Sequence, residues 1–495
     1  MKRPVACLAA LWTAAALAAC AYPIRNDAIG PGSRPQYEWG SLAPGDLQDA
    51  LVVVTASGGG TRATALTMSV LRAMDKIKLA SGASLADEID ILSSVSGGSV
   101  TAGYFALYGA AGFPTLEKNF VRQDGMRAII AEGLNPVGLA LLATPSKERI
   151  DLFVDYLDRQ LFHDVTFEKL VERKRRPYLI LNAADMVEGT PFPFTQYTMD
   201  LLCSDLTKMK LSTAVAASAA FPVALSPITL KNYRTAKNEP PCPVRKPGWL
   251  KPAEATSWYL DPPRVAWQRT ASAYADGQKK FIHLLDGGIA DNLGVSEPYR
   301  LLTSDDVDPP FKQNILSGKI KKIVFIMINA RSFAPSDLDN TQATPSALSM
   351  LTASIGSSID RATFSTSERI RSLLTERFRG MAADIEREAN KPGRPMADVL
   401  RTYAANLRTA AGNTQFITVD FDAIADLRCR TAYHSIQTSW ALSDNQLDGL
   451  NAMGEALLAQ DPAFAAAMRA VNAQPLAQPL TTVLQACAVL AKPAG

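Results

Sequence analysis

An α/β fold, with a mainly parallel sheet and helices on its faces, is predicted by three features of this 495-residue sequence. Short, mainly apolar runs such as Asp49–Ala56, Tyr178–Ala183 and Ile323–Asn329 have the length and composition of buried strands. Stretches of helical spacing alternate with them, which favours a parallel sheet. Glycine-rich or small-residue turns, Ser57–Arg62 and Ser94–Ser99, join the first two strands to the helices that follow.

In chain order, the first 19 residues read as a leader, with Lys2 and Arg3 as its basic head and Val5–Leu17 as its apolar core. Residues 20–47 are rich in Pro, Gly and polar side chains and read as a tether. Asp49–Ala56 is a buried strand, Ser57–Arg62 a glycine loop, and Ala63–Ile77 a helix. Glu88–Tyr108 repeats the pattern: Ile89, Ile91 and Leu92 suit a strand, Ser94–Ser99 a tight turn, and Gly103–Tyr108 a helix. Helical spacing continues around Leu116–Ala131 and Lys147–Leu161.

Tyr178–Ala183 is the next strand, with Phe192–Phe194 an edge or turn because internal proline suits a sheet centre poorly. Thr213–Ala220 forms a small-residue helix stopped at Phe221-Pro222. Residues 231–280 carry many prolines and three tryptophans (Trp249, Trp258, Trp267), and read as a long irregular insertion above the sheet. Phe281–Leu285 and Ile323–Asn329 complete a domain spanning 48–330. Residues 331–495 are mostly helical. Thr344-Pro345 suits a helix start, Ser443–Gln446 has capping-box spacing, and Thr414–Phe421 alternates like an added edge strand.

Composition narrows the function. An apolar share of 47% and a charged share of 20% describe a globular protein. The net charge of +3 falls to +1 without Lys2 and Arg3, which gives no electrostatic case for a nucleic-acid partner. Outside the leader, no apolar run reaches membrane-spanning length. Four cysteines remain beyond it, Cys203, Cys242, Cys429 and Cys487, and they permit three pairings. The pairs nearest in sequence would each staple one region in an oxidising compartment. No CxxC or histidine cluster points to a metal, and nothing in the sequence requires calcium or another cofactor.

Leu17-Ala18-Ala19-Cys20 resembles the bacterial lipobox, which implies a lipidated Cys20, a membrane anchor and an envelope location. Ala21 in place of an aspartate leans towards the outer membrane; a secreted or periplasmic protein is the alternative.

Acyl transfer needs a nucleophile, a base and donors for the developing oxyanion. Ser96, in a turn with almost no side-chain bulk, is the candidate nucleophile. Gly58, Gly59 and Gly60 present backbone N–H groups and are candidate oxyanion donors. No Lys-Ser/Thr follows them at Walker spacing, which disfavours a nucleotide site. Arg62 serves either to position this loop or to meet a lipid phosphate. Three histidines, His163, His283 and His434, are available as bases, and so is Asp286 in Leu285-Asp286-Gly287-Gly288. An aspartate near its usual pKa of about 3.9 is a weak base. Burial would strengthen it. Basic residues cluster at Lys169 and Arg173–Arg176, and again with Tyr233 and Trp249 in the insertion; they suit either an anionic membrane surface or plain solvation.

Together Gly58–Arg62, Ser94–Gly98, Ala217–Pro222 and Asp286–Gly288 resemble, in order, the blocks of the patatin-like phospholipases. The resemblance covers about residues 48–330. It implies a three-layer α/β/α sandwich, a Ser96–Asp286 dyad without a catalytic histidine, Gly58–Gly60 as oxyanion donors, and lipid esters as substrates. Ser94 departs from the family pattern by standing where the elbow has its first glycine. Two other readings stay open: an esterase with a Ser96, Asp286, His434 triad, and a non-catalytic lipoprotein that binds lipid or a partner.

Overall fold

The computed structural model describes residues 23–491, apart from 34–35, 43–48, 136–138, 140–141, 145–146, 223, 236–241, 248–249, 251–261, 305–309, 334–339 and 341. The leader, Cys20, Trp249 and Trp258 therefore lie outside the described residues.

Eight strands form one sheet: β1 (Ala50–Ala56), β2 (Ile91–Val95), β3 (Tyr178–Asp185), β4 (Pro191–Pro193), β5 (Ile228–Lys231), β6 (Phe281–Asp286), β7 (Lys322–Asn329) and β8 (Thr414–Asp420). Their order is β8-β7-β1-β2-β3-β6-β5, with β4 added to β3. The five strands from β8 to β3 are parallel; β4 and β6 run antiparallel to β3, and β5 antiparallel to β6. Every residue of β1, β2 and β3 is buried, as continuous apolar runs covered on both faces require.

The principal helices are α1 (Gly60–Lys76), α2 (Gly97–Tyr108), α3 (Leu211–Ser218), α4 (Pro262–Ala275), α5 (Ala347–Ala389), α6 (Ala397–Gly412), α7 (Leu427–His434), α8 (Asp444–Gln460) and α9 (Val483–Leu490). They complete the α/β architecture expected from the sequence, including its helical C-terminal region. β8 pairs with β7 along its whole length, so that region also extends the sheet at its edge.

The structure departs from expectation locally. The helix placed at Leu116–Ala131 is broken, because the Asp124 carboxylate accepts from the Arg127 N–H and starts a new helix there. The long helix α5 is capped by Ser346, whose Oγ accepts from the Ser349 N–H, rather than by Thr344. The described part of residues 231–280 includes a regular helix, α4, where an irregular insertion was expected. Pro262 and Pro263 occupy the first turn of α4, where a missing N–H costs nothing, and Trp267, Ala271 and Tyr274 recur at helical spacing as its buried face. The expected capping box at Ser443 and Gln446 is present. Of the three possible cysteine pairings the structure has Cys203–Cys242 and Cys429–Cys487.

The basic run before β3 is largely committed within the protein. Arg173 Nη1 donates to Ala106 O, and Arg176 Nη1 reaches Glu88 at 2.7 Å and Asp90 at 3.3 Å. Asp90 in turn accepts from the Val52 N–H at 2.8 Å and ties β2 to β1. Burial raises the Asp90 pKa to about 7, against the opposing pull of Arg176. Because Asp90 ionises less readily folded than unfolded, its contribution to stability is full below about 3.8 and declines as pH rises through about 7. Arg176→Met is expected to cost about 3 kcal/mol at pH 8, where it strands a buried carboxylate. At pH 5 the loss shrinks, since Asp90 is then protonated; urea unfolding at the two pH values measures the difference.

Candidate active site

The site lies where β1, β2 and β6 end. β2 stops at Val95, and Ser96 turns the chain into α2 with φ 50° and ψ −122°. Such a conformation costs about 1–3 kcal/mol and persists only when its surroundings enforce it. Here the enforcement is close backbone packing: a Cβ on Gly97 would sit 2.0 Å from Gly60 O. The elbow and the glycine loop after β1 are therefore pressed together, and only glycine fits at 97. Ser94 lies within β2, outside the turn, with its Oγ 3.1 Å from Ser99 Oγ. Its backbone is not at positive φ, so its Cβ adds no strain where the family pattern has glycine.

Asp286 ends β6, whose antiparallel pairing with β3 sets Asp286 opposite Ala183, one residue from Val95's partner Asn182. Ser96 Oγ donates to Asp286 Oδ2 at 2.8 Å, and the Gly288 N–H donates to Asp286 Oδ1 at 2.8 Å. Both side chains are buried, Ser96 at 9% exposure and Asp286 at 5%. Desolvation raises the Asp286 pKa to about 6, while the Gly288 N–H and the Ser96 hydroxyl pull it down. The result is a carboxylate that is ionised at neutral pH yet far more basic than an exposed aspartate.

In the glycine loop, the Gly58 N–H donates to Asn292 O at 3.1 Å and is thereby spent. That removes Gly58 from the expected set of oxyanion donors. Gly59 is the N-cap of α1 and Gly60 its first residue, with φ 141° and 58°, and among the described residues their N–H groups meet no acceptor. Unsatisfied amides at a helix start, in a loop pressed against the turn that carries Ser96, are groups of the kind that can hold an anion.

A family model described as patatin-like phospholipase matches residues 54–299, which include the glycine loop, Ser96 and Asp286. Through these residues the chain belongs to the patatin-like phospholipase family. Its members are lipid acyl hydrolases. A comparison with curated proteins gives no significant match.

Within the patatin-like domain, the segment Ala217–Pro222 braces both halves of the site. Ser218 Oγ accepts from the Ser96 N–H at 2.9 Å and donates to Asn182 O at 2.6 Å. Since its proton goes to Asn182, the Ser99 hydroxyl at 2.9 Å must donate to it, and Ser94 to Ser99. Gly287 N–H donates to Ser218 O, and Asp286 N–H to Ala220 O. Ser218 was legible only as part of a small-residue motif; nothing in its sequence context identifies it as the acceptor behind the serine.

Two candidates find other roles. Arg62 is 2% exposed and donates to Ala330 O, Ile436 O and Thr438 Oγ1, so it does not face a lipid phosphate. His434 Nε2 meets Asp422 Oδ1 at 2.9 Å, and the hydrogen bonds of Asp286 run to Ser96 and Gly288 instead. The Ser96, Asp286, His434 triad is thus not assembled. In the insertion, Lys231 lies over the Tyr233 ring and Arg234 donates to three main-chain carbonyls, which commits these two cations to the protein. Among the described residues no cluster of His, Cys, Asp or Glu is placed to hold a metal, and no helix is long and apolar enough to cross a membrane.

Ser218→Ala leaves the Ser96 N–H and the Ser99 hydroxyl without their buried acceptor. It is expected to lower stability by about 1–3 kcal/mol in urea unfolding, and to slow turnover by loosening the turn that holds Ser96.

Proposed function

We propose that this protein hydrolyses acyl esters of phospholipids or lysophospholipids through an acyl-Ser96 intermediate, with Asp286 as the acid–base partner. The 2.8 Å hydrogen bond from Ser96 Oγ to the buried Asp286 carboxylate, which desolvation makes more basic than an exposed one, is the observation that carries this reading. In the first step Asp286 Oδ2 takes the Ser96 proton as Oγ attacks the ester carbonyl carbon. The carbonyl oxygen becomes an oxyanion, held by the Gly59 and Gly60 amides. As the C–O bond to the alcohol breaks, Asp286 returns the proton to the leaving oxygen and the acyl group stays on Ser96. Asp286 then deprotonates water, which attacks the acyl-serine and releases the fatty acid while the proton passes back to Ser96.

Phospholipids are favoured by the family's substrates and by the leader. The same reading takes Cys20 as a lipidation site that anchors the enzyme in a bacterial envelope, its tether leaving the domain within reach of the lipid surface. Globomycin-sensitive processing and palmitate incorporation that vanish in Cys20→Ala would support the anchor; an unmodified, soluble wild type would exclude it.

Ser96→Ala and Asp286→Asn are each expected to lower fatty-acid release from a phospholipid panel by at least about 10³-fold. An alkyl fluorophosphonate should label wild type at Ser96 and spare Ser96→Ala. Equal release by wild type and Ser96→Ala would refute the mechanism. His434→Ala is expected to keep near-full activity, whereas its collapse would restore the triad.

The pH profile follows from Asp286. The base works when ionised, so log kcat/KM should rise with unit slope below about pH 6 and level off above it. The same raised pKa makes Asp286's contribution to stability fall as pH climbs from about 3.8 through about 6. Asp286→Asn should remove that part of the pH dependence of unfolding.

A further inference from the structure

We infer that the segment Ile436–Ser439, well beyond the family-matched residues, is a strap that holds the oxyanion loop in its donor-ready shape, with Arg62 as the positioning residue that couples the two. The inference rests on the reading of the Gly59 and Gly60 amides as oxyanion donors.

Backbone contact is the first observation. The Thr61 N–H, next to the two orphan amides, donates to Ser439 O at 3.0 Å. A Cβ on Gly60 would lie 2.7 Å from that same oxygen, so the strap passes directly over the loop. Arg62 is the second. Its buried guanidinium spends Nη1 on Ile436 O at 2.6 Å, Nη2 on Thr438 Oγ1 at 3.0 Å and Nε on Ala330 O at 2.7 Å. A buried guanidinium carries a large desolvation cost. Here its three hydrogen-bond acceptors are uncharged, and Asp360 gives it only longer-range support. Its fork geometry joins three chain segments at one point: the start of α1, the end of β7 and the strap.

Both ends of the strap are anchored. It leaves the C-terminus of α7, which Cys429–Cys487 ties to α9 and which the Tyr433 hydroxyl, donating to Gly449 O and Ala486 O at 3.0 Å, ties to α8 and α9. On the far side, the Trp440 ring stands edge-on to Phe153 at 4.5 Å, and Ser443 then caps α8. α8 is itself bound to α1 through the Lys76–Glu455 ion pair at 2.8 Å and the hydrogen bond from Ser69 Oγ to Asn451 O. The C-terminal region therefore grips the helix whose first amides form the cradle. Loss of the strap would leave Ser96 and Asp286 in place while the donors lose their alignment.

The test compares wild type with Arg62→Met, Thr438→Val and Cys429→Ser/Cys487→Ser, using two readouts. Amide hydrogen exchange of a peptide covering residues 57–61 reports the loop directly, without reference to activity. It is expected to quicken about tenfold or more in the variants. Steady-state hydrolysis of a lysophospholipid is expected to show kcat reduced, by about 10²-fold in Arg62→Met, with KM within twofold of wild type. The midpoint of the pH profile should stay near 6, because Asp286 is untouched. A merely structural role would lower activity only with the folded fraction measured by circular dichroism. Unchanged exchange at 57–61 in the folded variants, or a raised KM with kcat retained, would overturn the proposal. If Arg62→Met does not fold, the two milder variants decide the matter. Equal hydrolysis by wild type and Ser96→Ala would fell the hydrolase reading instead, and the exchange data would still judge the strap.

Discussion

A single hydrogen bond, from Ser96 Oγ to Asp286 Oδ2, sets the constraint that the surrounding fold satisfies. An aspartate is a poor base in water, so the pair has value only where water is excluded and both partners are held still. Exclusion comes from the buried sheet and the helices packed on it; the effect is a carboxyl pKa of about 6. Rigidity comes from the backbone. Ser96 is forced to φ 50° by the turn between β2 and α2, and Asp286 ends a strand that runs antiparallel to the strand beside it.

The support around the pair is mostly main chain and hydroxyl, with few charges. Ser218 links the Ser96 amide to Asn182 O, and Gly287 and Asp286 hang from carbonyls of the same short segment. With neutral groups in these positions, no cation among the described residues stands beside the Asp286 carboxylate, and desolvation dominates its pKa. A lysine or arginine there would return the carboxyl to its ordinary range and weaken it as a base. Arg62, the nearest buried cation in sequence to the glycine loop, is turned away towards Ala330, Ile436 and Thr438.

Much of this was legible in the sequence, for identifiable reasons. The parallel strands announce themselves as uninterrupted apolar runs because both faces are covered, and Ser96 and Asp286 stand out because small residues crowd a turn that admits nothing larger. What escaped was decided by partners distant in the chain. Whether a glycine N–H is free depends on who else takes it: Gly58 is claimed by Asn292, more than two hundred residues on. Arg62 reads the same in sequence whether it faces a phosphate or three protein oxygens. The helix in the proline-rich insertion was masked by prolines that sit harmlessly in its first turn. Pairing among four cysteines followed the nearest-neighbour choice, but composition alone does not exclude the other two.

The central claim is that an acyl group resides on Ser96 during turnover. Its most direct measurement is mass spectrometry of protein acid-quenched during steady-state hydrolysis of a lysophospholipid of known acyl chain. The expected result is a fraction of the protein heavier by that acyl group less one hydrogen, with the modification on the peptide containing Ser96 and absent from Ser96→Ala. Acylation at another residue, or heavy-oxygen water entering the fatty acid with no acyl-enzyme detectable even in rapidly quenched single turnovers, would contradict it.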